Sequence, residues 1–389
     1  MLLNEYREEV FIEKKKLLLV TDVMSIGGVE KVIVNTLNGI DYSIFDVTLF
    51  IMYKTEGEIS NIKKIPAMVN IQYLFNKPPK GAYQRILYYL FMFFPHTVIN
   101  SFIVKESYDI IVTTKDVFSY PISVNKCKKV MWIHGGLEYL ETENPSIFNK
   151  IKIWYKNRTY SKFNHILLLT NAAKKRFCNK YGTEDRCHVL YNPINNDEIT
   201  KLSNEAVLDY EFKSDMVIIC SCRLSIEKGV DRLLDACNKL FQEGYNFNLI
   251  ILGDGPEKVN LMEKIQNNPL LNNKVAMLGF KENPYKYISK CNIYISPSIT
   301  EGFSLSIAEA MILDLPIIST NCNGPKEILE NGKYGLLVEN TENGIYQGLK
   351  KIISNRDLID YYRLKSGERK EFFSYEKNIR ALEGILKEG

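Results

Sequence analysis

Short apolar runs recur along this chain, separated by polar stretches and by segments whose apolar residues return every three to four positions. Runs of four to eight such residues read as buried strands, and the longer periodic segments as helices. In the first half the runs at 17–21, 47–52, 69–74, 109–113, 130–133 and 165–169 predict strands. A helix is predicted over 29–37, where Val29, Val32, Ile33 and Thr36 share one face. In the second half strands are predicted at 216–220, 248–252, 275–278, 293–296, 316–319 and 335–338, with a helix over 230–241. Alternation of this kind marks the α/β class. Between the two series, Tyr191-Asn192-Pro193-Ile194 breaks the pattern and the polar residues 195–203 read as a linker. Two Rossmann-like halves joined there would face each other across a cleft, with ligands at the C-terminal ends of the strands.

Composition agrees with two soluble, globular domains: 389 residues, 46% hydrophobic and 25% charged. Residues 1–16 mix Glu, Lys and Arg without an apolar core, unlike a signal peptide. Eight cysteines are scattered, and the one close pair, Cys220 and Cys222, has no neighbouring Cys or His to complete a zinc set. Free thiols in a reducing cytosol are the simple account. The net charge of +4 is uneven: residues 1–195 carry 26 Lys and Arg against 18 Asp and Glu, and the remainder 24 against 28. A basic first half suits anionic lipid or a phosphate-bearing substrate, and it equally suits ordinary solubility charge. Residues 86–94 are apolar and aromatic throughout and end at Pro95, too short to span a membrane. Tyr88, Phe91, Phe93 and Phe94 exceed what one buried face needs, and Lys77, Lys80 and Arg85 flank them. The segment therefore reads as lying in a membrane interface, the alternative being a core helix.

The chemistry concentrates in residues 297–311, Pro-Ser-Ile-Thr-Glu-Gly-Phe-Ser-Leu-Ser-Ile-Ala-Glu-Ala-Met, which follow a strand. Glu301 stands just before a predicted helix and Glu309 one to two turns inside it, leaning back toward the same space. The free amides at the helix start, near Gly302, Phe303, Ser304, Leu305 and Ser306, form an anion site. Hydroxyl acceptors on both sides of a phosphate site suit a nucleotide-sugar. Arg223 and Lys228 leave another strand end, and both fit phosphate oxygens. Gly27-Gly28 precedes the first helix, and His134 follows a strand beside Gly135-Gly136. Gly253-Asp254-Gly255-Pro256 is a turn that lacks the third glycine of a dinucleotide fingerprint. No Asp-x-Asp stands at a strand end, so no metal is expected, and no cofactor.

The string from Glu301 to Glu309 resembles the glutamate–seven residues–glutamate signature of the family 4 retaining glycosyltransferases, which have the GT-B fold. Arg223-Leu-Ser-Ile-Glu-Lys228-Gly is similar to that family's Arg-Leu-x-x-x-Lys-Gly element, Gly27-Gly28 to its glycine loop, and Gly253-x-Gly255-Pro256 to its turn. The resemblance covers nearly the whole chain, more strongly after residue 216. It implies an acceptor-side domain at 1–195, a nucleotide-sugar domain at 196–373, and a terminal helix at 374–389 crossing back to the first domain. It further implies that Gly28, Arg223, Lys228 and the amides of residues 302–305 bind the donor diphosphate. Glu309 would take the ribose hydroxyls, Glu301 the sugar hydroxyls, and His134 would border the reacting carbon. The implied activity is retaining, metal-independent transfer of a hexose from a nucleotide-diphosphate sugar, most simply a UDP-sugar, to a glycan or polyprenyl-linked acceptor. Bacterial-type surface polysaccharide synthesis would be its setting. Its place would be the cytoplasm, at the inner membrane face, with no nucleic-acid partner. A nucleotide-sugar epimerase on the same fold and a non-catalytic binding scaffold are the alternatives.

Overall fold

The computed structural model of the chain describes residues 13–388 apart from 26, 80–81, 138–139 and 141–146. Lys80 and the side chains of Arg85 and Tyr88, named above, lie outside what it describes. Two sheets form, and every strand pairing in them is parallel. The first contains β1 (Lys15–Thr21), β2 (Phe45–Tyr53), β3 (Asn70–Phe75), β4 (Ile110–Thr113), β5 (Lys128–Ile133), β6 (His165–Leu168) and β7 (Cys187–Val189), in the order β3-β2-β1-β4-β5-β6-β7. The second contains β8 (Val217–Ser221), β9 (Asn248–Leu252), β10 (Val275–Gly279), β11 (Ile293–Ser296), β12 (Ile317–Thr320) and β13 (Leu336–Val338), in the order β10-β9-β8-β11-β12-β13. Both orders reverse direction, between β1 and β4 and between β8 and β11. Such a reversal opens a crevice beyond the strand C-terminal ends. Continuous apolar runs suit these strands because helices cover both faces of a parallel sheet.

β7 was not expected; its three residues, Cys-His-Val, lack an apolar run and pair only at the sheet edge. The polar stretch read as a linker is instead the helix Asn196–Ser203. Asn195 caps it by accepting from the Glu198 amide, and Asp197 and Glu198 complement its N-terminal dipole. Its buried Ile199 joins a core that runs unbroken between the domains, from Leu37 of the first through Tyr285, Ile307 and Met311 of the second. The chain then crosses back. Helix Tyr375–Lys387 lies on helix Gly28–Gly39, with Tyr375 Oη donating to the Asn35 carbonyl at 2.6 Å and Glu383 accepting from the Asp41 amide at 2.8 Å.

The aromatic segment forms helices Ala82–Phe93 and His96–Ile103. Phe91, Ile99 and Ile103 are buried and account for the core-helix reading on one face only. On the other side Ile86, Tyr89, Leu90, Phe93, Val98 and Phe102 are exposed, Phe93 at 67%.

The glycine turn after β9 has a structural role that bears on the cleft. Gly253 has φ +138°, and a Cβ there would stand 1.8 Å from the Cys222 carbonyl oxygen. A Cβ on Gly255 would stand 2.3 Å from the Leu224 carbonyl oxygen. The two glycines let this turn press on the Cys222–Leu224 backbone, where the Leu224 amide donates to the Asp254 carbonyl at 2.9 Å. That contact holds Arg223 in place. Gly253→Ala combines an unfavourable φ with a backbone clash and should cost on the order of 3 kcal/mol. Thermal melts beside the wild type check this, and an unchanged midpoint would refute it.

Candidate active site

The β8 and β11 ends lie side by side at the reversal of the second sheet, and the residues singled out above emerge there. After β8 a short turn at Ile226–Lys228 ends at Gly229, φ +64°, where a Cβ would come within 2.3 Å of the Pro297 carbonyl oxygen. The Ile299 amide donates to the Glu227 carbonyl at 2.8 Å. This clamp aims Lys228 at Glu301, and its Nζ donates to Oε2 at 2.5 Å. Both side chains are largely buried, at 21% and 13% exposure. Burial works against the Lys228 ammonium, but the Glu301 carboxylate outweighs it and holds the group above its ordinary value. Lys228 thus neutralises Glu301, and the pair uses one of the three donors of its ammonium. Arg223, by contrast, is exposed and has no ion-pair partner among the described residues.

The helix bearing Glu309 runs from Leu305 to Ile312, and no side chain caps its start at Ser304. Its unsatisfied amides therefore begin at Leu305, later than the sequence suggested. Phe303 is buried in an aromatic cluster with Tyr191 and Phe373, so its ring anchors the loop and only its backbone can face a ligand. Ser304 is buried as well, its Oγ 3.3 Å from that of Ser306. Gly28 opens the first domain's helix opposite, and a Cβ there would lie 3.3 Å from Leu305 Cδ1. Glu309 is buried and is ion-paired to Lys31 of the first domain, whose Nζ also donates to Tyr285 Oη. The sequence reading missed Lys31 and Tyr285. A signal existed: Lys31, Asn35 and Asn38 fall on one face of helix Gly28–Gly39. That face lines a cavity of about 550 Å³ between the domains, closed on the other side by Phe280 and Tyr285.

His134 follows β5, its ring centroid 4.9 Å from that of Trp132. Its Nε2 is buried and finds no hydrogen-bond partner among the described residues. Burial, with a smaller contribution from the Lys115 charge, pushes its pKa down to about 3. The ring is therefore neutral at physiological pH. It borders a cavity of about 310 Å³ together with Thr114, Lys115, Asp116, Trp132 and Tyr160. Asp116 accepts from Tyr160 Oη at 2.5 Å and is ion-paired to Lys156. A further carboxyl that sequence reasoning passed over is Glu30, which is buried; burial holds its carboxyl above the ordinary value against the opposing charges of Lys115 and Arg223. Gly302 packs against the His134 loop so closely that a Cβ would lie 2.8 Å from the Gly136 amide nitrogen and 3.1 Å from the His134 carbonyl oxygen. The structure thus brings His134, Gly28, Arg223, Lys228, Glu301 and Glu309 to one cleft. Among the described residues no three His, Cys, Asp or Glu side chains come together to hold a metal ion.

The cleft between the two parallel sheets is thus lined by a paired glutamate and lysine, an exposed arginine and an uncapped helix start. Residues 26–198 match the model of Glycosyltransferase Family 4, and residues 209–370 that of Glycosyl transferases group 1. An uncharacterized glycosyltransferase of Methanocaldococcus jannaschii is 30% identical over 291 residues, 66% of this chain and 71% of that protein. The Campylobacter jejuni N-acetylgalactosamine-N,N'-diacetylbacillosaminyl-diphospho-undecaprenol 4-alpha-N-acetylgalactosaminyltransferase is 30% identical over 252 residues, 64% of this chain and 66% of that one. The crystal structure of Anabaena HepE with UDP and glucose superposes with a TM-score of 0.74 at 16% identity, covering 96% of this chain and 100% of that one. The chain belongs to glycosyltransferase family 4, whose members found here include enzymes of lipid-linked glycan synthesis.

The buried His134 links this cleft to pH. In the unfolded chain it takes up a proton near pH 6.5, and in the fold only near pH 3. Between those values the unfolded state binds more protons, so this contribution to stability is complete above pH 6.5 and is lost as pH falls toward 3. His134→Gln should therefore lose less melting temperature than the wild type between pH 7.5 and 5. Equal losses would mean that the ring is not held neutral.

Proposed function

We propose that this glycosyltransferase is a retaining hexosyltransferase that takes its sugar from a nucleotide diphosphate, most simply UDP. Its acceptor is a glycan or a polyprenyl-linked glycan of the kind used in surface polysaccharide synthesis. The observation that carries the reading is Arg223, an exposed cation that follows the end of β8, while β11, paired to β8, leads into the uncapped start of helix Leu305–Ile312. As the bond from the sugar's anomeric carbon to the diphosphate breaks, negative charge grows on the departing oxygens. Fixed donors aimed at that charge lower the barrier. Arg223 and the Leu305–Ile307 amides supply them, and the charge to be met is covered without a divalent ion. Glu301, held in place by Lys228, takes the sugar hydroxyls. The neutral His134 borders the reacting carbon. The acceptor hydroxyl attacks from the face the diphosphate leaves, and its proton passes to the leaving group. The HepE complex with UDP and the acceptor named for the C. jejuni relative support the donor and acceptor classes.

The test is transfer from a UDP-hexose to a polyprenyl-diphosphate glycan, with the product's anomeric configuration read by NMR. Transfer should continue in excess chelator, and the donor's configuration should be kept. Arg223→Ala should melt like the wild type, since the side chain is exposed, and should react about a hundredfold more slowly. A wild-type rate in that variant, or need for a divalent ion, would overturn the charge assignment. Conversion of the UDP-sugar without acceptor would favour the epimerase reading.

The exposed apolar face of helices Ala82–Phe93 and His96–Ile103, with Trp154 also exposed at 61%, supports peripheral docking on an anionic membrane at the cytoplasmic face. No helix of the described residues is long and apolar enough to cross a membrane. Exposed Lys77, Lys105 and Arg158 add attraction, each basic residue near such a surface contributing about 1 kcal/mol. Replacing Phe93 and Phe94 with Ser removes exposed rings and opens no cavity. It should abolish co-sedimentation with acidic liposomes and leave the melting temperature unchanged. Unaltered sedimentation, or none by the wild type, would refute membrane docking.

A further inference from the structure

Lys31 stands outside every role assigned above. It lies on the first domain's helix Gly28–Gly39, yet both partners of its ammonium, Glu309 and Tyr285, belong to the second domain. Glu309 is 8% exposed, and a buried carboxylate without a counter-charge is costly. Burial works to lower the Lys31 ammonium's affinity for its proton, but the Glu309 carboxylate and Tyr285 outweigh it, and the group is held above its ordinary value. Lys31 is therefore a cation throughout the physiological range. It lines the mouth of the 550 Å³ cavity, which holds Asn35, Asn38 and Asn61 on the first-domain side and the half-exposed ring of Phe280 on the other. A flat polar ring would find both stacking and hydrogen-bond partners there. Lys31 and Tyr285 line that cavity, and the ion pair of Lys31 with Glu309 joins it to helix Leu305–Ile312.

We propose that Lys31 is a positioning residue for the donor's nucleoside end: across the closed cleft it orients the Glu309 carboxylate to receive the vicinal hydroxyls of the ribose, so that grip on the nucleoside depends on domain closure. This deepens the nucleotide-sugar reading and rests on it. A carboxylate has about four lone-pair sites, so Glu309 can keep its bond to Lys31 on one oxygen and accept from a diol on the other. Tyr285 holds the ammonium from the far side and fixes its direction. When the cleft opens, Lys31 leaves with the first domain, and Glu309 loses both its counter-charge and its orientation.

The test compares the binding of UDP and 2′,3′-dideoxy-UDP by calorimetry. The wild type should prefer UDP by at least about tenfold, the loss expected when hydrogen bonds to a charged group are removed. Lys31→Met should erase the preference, so that UDP and the dideoxy compound bind alike. In transfer assays the donor KM should rise with little change in kcat. Lys31→Arg should restore part of the preference. Tyr285→Phe, which keeps the ion pair, should give a smaller shift in the same direction and covers the case in which Lys31→Met fails to fold. Equal weakening of both ligands would overturn the proposal, because Lys31 would then act on the phosphates or the fold. A wild type that binds both alike would overturn it too, because Glu309 would not read the diol. A wild type that binds neither would instead sink the nucleotide-sugar reading beneath it.

Discussion

Backbone touches backbone at the centre of this molecule, and the cleft's geometry follows from that contact. The Glu301–Gly302 loop lies between two others. On one side the His134–Gly136 loop of the first domain approaches so closely that a Cβ on Gly302 would lie 2.8 Å from a main-chain nitrogen. On the other a Cβ on Gly324 would lie 2.6 Å from the Gly302 carbonyl oxygen, while the Gly324 amide donates to the Glu301 carbonyl at 3.1 Å. Three main-chain layers stack with no side chain between them. Side chains can repack around a substitution, but stacked main chain yields only by moving whole loops. The distance between His134 and Glu301 is therefore set by the peptide backbone.

Electrostatics in the cleft depend on how the glutamates are neutralised. Glu301 and Glu309 would together oppose any phosphate bound near them. Lys228 cancels the first from within its own domain, and Lys31 cancels the second from across the cleft. What remains positive is Arg223 and the start of helix Leu305–Ile312. A buried ion pair adds little to stability by itself, yet leaving one partner alone is costly. Under the proposed function, the pairs would act less as glue than as a way to keep hydroxyl acceptors inside a site that must also attract an anion. Cross-domain contacts of the same kind recur. Glu327 accepts from the Asn171 amide at 2.9 Å and from Tyr191 Oη at 2.8 Å, so a second-domain carboxylate caps the first domain's helix Asn171–Tyr181.

The α/β alternation was legible because a strand buried on both faces must be apolar along its length, and such runs are visible in a single sequence. Short β7 and the helix Asn196–Ser203 were not. One has no apolar run, and the other buries little beyond Ile199 and Ser203. Arg223, Lys228, Glu301 and Glu309 could be found because each follows a strand end within a local string. The partners of Lys31, Tyr285 and Glu327 could not, because each comes from a segment more than 130 residues distant in the chain; only the placing of Lys31 on a polar helix face left a local trace. Lys228 emerges at a strand end and meets Glu301. Strand order fixes where a residue emerges, and only tertiary packing decides which charge it meets.

The exposed aromatic face and the cleft are joined by one short element. Phe91, the buried anchor of helix Ala82–Phe93, packs edge-on against Phe118 at 5.8 Å between ring centroids. Phe118 ends the turn that begins with Asp116, and Asp116 lines the cavity beneath His134. A second path runs from exposed Phe93 through Tyr155 to Tyr120, with ring centroids 6.3 and 5.5 Å apart. Tyr155 lies on helix Ile147–Tyr160, which also carries the two partners of Asp116, Lys156 and Tyr160. The exposed aromatic face is thus joined to the cavity by packed side chains of the turn Asp116–Phe118 and helix Ile147–Tyr160. Under the proposed function, a lipid-carried acceptor would bring its sugar to the cleft while its tail stays at that exposed face.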